Sequence, residues 1–147
     1  MIPRIAAAAL LLTLSLGLSA ESSGNTISTG EMAKMLASKS AKPRIYQVGF
    51  AVLYKSKHIP GSVYAGPGST DEGLQALQEA VANAGKDQLI VLYCGCCPWD
   101  HCPNVKPALR LLQSLGYKNV KVVEMPDNFA KDWVEKGLPV AGNTASK

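Results

Sequence analysis

Two rhythms of apolar residues alternate along this chain, one of near-consecutive runs and one at helical spacing. Met32, Met35 and Leu36 follow Ser28-Thr-Gly-Glu31, whose Ser and Glu stand at capping-box spacing, and predict a helix running up to Ser38. Lys39 to Pro43 reads as a turn. Arg44-Ile-Tyr-Gln-Val48 is a short β-rich run that Gly49 ends. His58-Ile-Pro-Gly-Ser62 leads into a second short strand, Val63-Tyr-Ala65. Beyond the loop Gly66–Thr70, Ser69-Thr-Asp-Glu72 offers another capping box. Leu74, Leu77, Ala80 and Val81 then mark an amphipathic helix that stops near Gly85.

Leu89 to Tyr93 is apolar at consecutive positions, as a strand buried on both faces of a parallel sheet requires. Val105 to Leu115 carries Ala108, Leu109, Leu112 and Leu115 at helical intervals and closes at Gly116. Asn119 to Val123 is a further strand. Asp127 is placed to cap a last helix running through Trp133 to Lys136. Strand and helix patterns alternate throughout, which predicts an α/β fold with a central, largely parallel sheet flanked by helices. No internal repeat or low-complexity segment interrupts it.

Composition changes this picture mainly at the ends. Arg4 followed by the almost wholly apolar Ile5–Leu18 and the small residues Ser19 and Ala20 reads as a secretory signal over residues 1–20. The apolar run is shorter than the roughly 20 residues a membrane span needs. Residues 21–26 read as a flexible leader, 27–140 as one domain, and 141–147 as a disordered tail. Export places the domain in an oxidising compartment, expected to be a bacterial periplasm, with no membrane attachment after cleavage. The formal net charge is +4, but the basic residues form no stripe and no aromatic residues interleave with them. Nucleic-acid binding is therefore not expected, and a weak preference for small anionic substrates is.

Candidate chemistry concentrates in one loop. All four cysteines lie in Cys94-Gly95-Cys96-Cys97-Pro98-Trp99-Asp100-His101-Cys102, followed by Pro103 and Asn104 at the start of the helical pattern. Parallel sheets place their sites at the carboxyl ends of strands, and Cys94 stands at such an end. Backbone amides and the dipole of the following helix are expected to lower its pKa toward the thiolate. Cys94 and Cys97 form a Cys-x-x-Cys pair, the spacing of dithiol redox sites and equally of a structural bridge. Asp100 beside thiols opposes their ionisation. Trp99 is expected to shield the loop or pack it down. His58 and Trp133 are expected to be structural.

Three segments in order resemble the single-domain rhodaneses. His58-Ile-Pro-Gly-Ser62 is similar to the family's turn after its second strand. The strand ending at Cys94, with the helix closing in Leu115-Gly-Tyr117 and then Val120 and Val122, resembles its active-site unit. Trp133 followed by Gly137-Leu-Pro-Val140 resembles its closing helix and exit. The resemblance implies a three-layer rhodanese-like domain and a sulfurtransferase activity. Cys94 would be the nucleophile that takes sulfur from a small anionic donor such as thiosulfate, becomes a persulfide and passes the sulfur to a thiol acceptor. The chain departs from the family in a longer loop that lacks the usual Arg, with Lys106 the nearest cation. Gln47-Val-Gly49 replaces the family's Asp-x-Arg, and Pro126-Asp127 replaces its Gly-Gly.

The extra cysteines open further possibilities. Cys97 is a candidate resolving thiol that attacks a Cys94 persulfide, with Cys96 and Cys102 as alternatives. No cofactor is expected on the sulfurtransferase reading. Two rival readings remain: a dithiol redox protein cycling Cys94 and Cys97, and a non-catalytic interaction module or soft-metal site. The latter would hold zinc or copper through Cys94, Cys97, His101 and Cys102.

Overall fold

Short strands with β-branched and aromatic residues pair side by side, and the helices between them cover both faces of the resulting sheet. The computed structural model of the chain describes residues 24–142. The proposed signal and most of the proposed tail lie outside these residues. Five strands form one all-parallel sheet: β1 (Thr26–Ser28), β2 (Arg44–Gln47), β3 (Val63–Tyr64), β4 (Ile90–Tyr93) and β5 (Val120–Glu124). Their spatial order is β1-β5-β4-β2-β3, so β4 lies at the centre. It pairs Val91 with Ile45 of β2 and Leu92 with Val122 of β5.

Alternation along the strands sorts side chains into two cores. Tyr46, Val48, Ile90, Leu92 and Cys94 face one way, toward α3 (Asp71–Val81) and α4 (Val105–Ser114), and meet Leu77, Ala108 and Leu112. Ile45, Val91, Tyr93 and Val123 face the other way. There they meet Met32 of α1 (Thr29–Ala37) and, near the end of the domain, Phe129 and Trp133. Among the described residues no helix is long and apolar enough to cross a membrane.

The helices start and stop for local reasons. Ser28 caps α1 through its hydroxyl to the Glu31 amide at 3.2 Å, and the Glu31 carboxylate accepts the Ser28 amide at 3.0 Å. α4 ends at Gly116, which takes φ +82 as the backbone leaves the helix.

Several sequence expectations need correction. Thr26 belongs to β1 rather than to a leader, because it pairs in register with Val122. Ala141 belongs to the fold rather than to a tail, since it exchanges two backbone hydrogen bonds of 2.9 Å with His58. The cap of α3 is Thr70, not Ser69: its hydroxyl accepts the Gly73 amide at 3.0 Å. In the last helical segment, a wide turn over Ala130–Val134, Asn128 accepts the Lys131 amide, while Asp127 uses its own amide to donate to Asp132. A helix α2 (Ala51–Ser56) occupies a stretch with no predicted element. It has no side-chain cap and no buried residue, so neither signal that marks a helix in sequence is present.

The weight of the core against α4 sets an expected outcome. Leu112 has no exposed surface, and Leu112→Ala should destabilise the fold by about 2–5 kcal/mol in urea unfolding, with the slope of the transition unchanged. A cost of a few tenths would contradict the packing described.

Candidate functional site

The alternation that buries Leu92 also sends Cys94 toward the α4 side of the sheet, where only 4% of its surface remains exposed. Two buried amides hold it in place. Gln47, at the end of β2, donates its Nε2 to the Cys94 carbonyl at 2.9 Å and accepts the Gly49 amide on Oε1 at 3.2 Å, tying the ends of the central strands together. Asn104 is fully buried at the start of α4. Its Nδ2 donates to Cys94 Sγ at 3.4 Å and its Oδ1 accepts the Ser69 amide at 3.0 Å. Sequence reasoning recorded Gln47 only as a departure and Asn104 only as a loop residue; their signal was a polar side chain at a position that the strand and helix patterns bury.

Two glycines allow the backbone to close around the thiol. A Cβ on Gly49 would stand 2.7 Å from Cys94 Sγ. Gly95 takes φ +85, and a Cβ there would stand 2.8 Å from the Phe129 Cβ; its carbonyl accepts the Phe129 amide at 3.0 Å. The segment Cys94–Cys96 is thereby pinned against Phe129.

The remainder of the loop turns back on itself. Pro98 opens a single turn over Trp99–His101, the Trp99 amide donates to the Met125 carbonyl at 3.1 Å, and Trp99 packs against the core. This turn returns Cys102 to the interior with 1% of its surface exposed. The Sγ atoms of Cys94, Cys96 and Cys102 lie within 4.8 Å of one another, with Cys94 and Cys96 at 3.1 Å. Cys97 stands 3.0 Å from Cys96. All four cysteines are free thiols. Asp100 and His101 face each other at 3.5 Å, the His101 side chain 81% exposed. Pro103 is exposed, as are Lys106 and Arg110 on α4.

The expected depression of the Cys94 pKa is corrected by this geometry. The Cys102 thiol held against it and its own burial push Cys94 up. Cys102 is instead lowered to about 5, by the neighbouring Cys94 thiol first and then by the backbone amides of Asn104 and Val105 at the start of α4. The start of α4 thus acts on Cys102. Cys97 is pushed up to about 12, by burial first and then by Cys96 and Cys102. The expected metal set is also altered: a soft cation would find Cys94, Cys96 and Cys102 gathered, whereas His101 points outward and Cys97 lies outside the trio.

Cys94, Gly95 and Cys96 form part of the wall of an open cleft of about 590 Å³. Its lining also includes the apolar Phe50 just ahead of α2, Val52 and Leu53 of α2, and Phe129, together with Lys57. Phe50 and Val52 are exposed at 46% and 72%. His58, as expected, is structural: its ring stacks on Tyr54 at 3.9 Å and Nδ1 contacts the Tyr54 carbonyl at 2.7 Å. Trp133 is fully buried, donating Nε1 to the Pro139 carbonyl at 2.7 Å.

Comparison with known proteins agrees with this architecture. The sequence profile of the rhodanese-like domain matches residues 28–125, and the chain belongs to that family. No curated protein matches it. Among solved structures, it is similar to the BH2092 protein of Bacillus halodurans, at 18% identity and a TM-score of 0.63, over 80% of this chain and 77% of that one. It is similar to the rhodanese-like domain of the Alr3790 protein of Anabaena, at 19% identity and a TM-score of 0.60, over 84% and 83% of the two chains. A structure of EanB with a cysteine persulfide, in a tetrahedral intermediate state with ergothioneine, is 24% identical with a TM-score of 0.59; the match covers 80% of this chain and 28% of that one. At these identities the likeness is one of fold.

Two outcomes follow from the site. The folded Cys102 binds its proton more weakly than the unfolded chain does, so its contribution to stability grows as pH rises above about 5 and is lost as pH falls through that value. Thiolate ultraviolet absorbance should therefore show one step near pH 5 that Cys102→Ser removes; a first step only in the ordinary thiol range would refute the assignment. Gly49→Ala should cost about 1–3 kcal/mol by overpacking against Cys94, read in urea unfolding.

Proposed function

We propose that this rhodanese-like domain is a sulfurtransferase that carries sulfane sulfur as a persulfide on Cys94. The observation that carries the reading is the position of Cys94. It stands at the carboxyl end of the central parallel strand, forms part of the cleft wall, and is held by Gln47, Asn104 and the close approach of Gly49. Membership of the rhodanese-like family supports the same chemistry.

The neighbouring thiolate overcomes the high proton affinity of Cys94. The Cys102 sulfur, within 4.8 Å of the Cys94 sulfur, is placed to serve as the adjacent base. As Cys94 sulfur attacks the outer sulfur of a donor such as thiosulfate, its proton passes to Cys102 and sulfite departs with the electron pair of the broken S–S bond. The Asn104 side-chain amide then faces the sulfur bearing the persulfide.

The cleft supports a small anionic donor, with Lys57 as a cation in its lining. Its apolar side at Phe50, Val52 and Leu53 favours an acceptor thiol borne on a larger organic or protein carrier over a free inorganic ion. The reading requires no metal or cofactor. A Cys94–Cys97 dithiol cycle draws less support, since the sulfurs gathered around Cys94 are those of Cys96 and Cys102. Arg4 with the apolar run Ile5–Leu18 supports export, and we place the domain in a periplasm.

Given thiosulfate as donor and excess cyanide or a thiol as acceptor, the reduced protein should transfer sulfur to that acceptor. Cys94→Ser should abolish the transfer. Retained transfer by the variant would remove Cys94 from the reaction.

A further inference from the structure

We infer that Cys102 resolves the Cys94 persulfide, so that the loop releases the acquired sulfur as sulfide and closes a Cys94–Cys102 disulfide. The inference rests on the persulfide reading above and concerns the fate of the sulfur once it is bound.

The argument begins with which side of Cys94 each sulfur occupies. Cys94, Gly95 and Cys96 border the cleft through which a donor arrives, so the outer sulfur of the persulfide lies on that side. Cys102 is buried in the core with Val105 of α4 and takes no part in the cleft wall. Displacement at sulfur runs in line, with the entering thiolate opposite the leaving group. Of the two sulfurs gathered around Cys94, Cys96 lines the cleft and so shares the side of the leaving sulfur, whereas Cys102 does not line it.

Backbone constraint separates the two thiols further. A Cys94–Cys96 bridge spans a single residue, Gly95, whose positive φ and contacts with Phe129 fix the segment. Disulfide geometry tolerates little distortion, so that bridge would be strained. Cys102 is joined to Cys94 through the longer excursion containing the Trp99–His101 turn, and its sulfur already lies within 4.8 Å. Cys102 stands just ahead of α4, whose first amides favour negative charge on its sulfur.

The step balances. After sulfur capture, the proton held by Cys102 passes to the outer sulfur, giving Cys94–S–SH and a Cys102 thiolate. That thiolate attacks Cys94 Sγ, the bond between Sγ and the outer sulfur breaks, and HS⁻ leaves with the electron pair. The sulfane sulfur is reduced to sulfide while the two cysteines are oxidised to a disulfide. An external dithiol of the thioredoxin class, through exchange, returns both cysteines to thiols. The Trp99–His101 turn thereby gains a use: it brings the Cys102 sulfur to within reach of Cys94.

The test uses the full chain, reduced, freed of reductant and mixed with thiosulfate without an added acceptor. The wild type should release about one equivalent of sulfide per chain and stop. Peptide mapping should find the Cys94–Cys102 disulfide. Cys102→Ser, which removes the resolving thiol and weakens the base, should release less than about a tenth of that sulfide. With a preformed low-molecular-weight persulfide as donor, it should accumulate the Cys94 persulfide. Mapping of the wild type decides the matter even if the variant does not fold. A stable Cys94 persulfide in the wild type, without sulfide, would overturn the inference while leaving sulfur transfer standing. A persulfide moved to Cys96, or a bridge to Cys96 or Cys97, would overturn the assignment of Cys102. Failure of both proteins to gain sulfur from either donor would overturn the sulfurtransferase reading and this step together.

Discussion

Helices cover the sheet on both sides, so its central strand has to bury both of its faces. Ile90–Tyr93 meets that demand with four buried residues, paired to β2 on one side and β5 on the other. Alternation then decides everything nearby. Ile90 and Leu92 fill the layer beneath α3 and α4, Val91 and Tyr93 fill the layer with Trp133, and the next residue, Cys94, emerges under α4. A one-residue slip would turn Cys94 to the opposite layer and separate it from Asn104 and Cys102. The register of β4 is therefore also the register of the site.

What surrounds Cys94 is a balance between burial and charge. Thiols in an apolar core resist ionisation, yet sulfur chemistry needs a thiolate. The loop resolves this by division of labour. The neighbouring Cys94 thiol and the first amides of α4 lower the pKa of Cys102, while Cys102 and burial raise that of Cys94. Cys94 lines the cleft and Cys102 does not. Gly49 and Gly95 make the approach possible, since neither position has room for a side chain.

Much of the frame was legible in the residues. The Ser28–Glu31 capping box, the helical spacing of Leu74 to Val81 and of Ala108 to Leu115, and the continuous run before Cys94 each report a local cause, and the structure forms an element at each. α2 was invisible because it lies on the surface, buries nothing and has no cap, although its Phe50 flank and Val52 form one side of the cleft. Gln47 and Asn104 were legible as residues but not as supports. Their partners, the Cys94 carbonyl and sulfur, are 47 and 10 positions away in sequence, and only folding makes them neighbours.

The sequence by itself determined that an α/β sheet would form and that a cysteine would stand at the end of its central strand, because periodicity and caps are local properties of the chain. It also disclosed that the loop carries more sulfur than its fold requires. Which sulfurs meet was decided only in three dimensions. The turn at Trp99–His101 brings Cys102 inward while leaving His101 in solvent, and the start of α4 directs its amides at Cys102. Spacing suggested a Cys94–Cys97 pair; backbone direction and burial gathered Cys94 with Cys96 and Cys102.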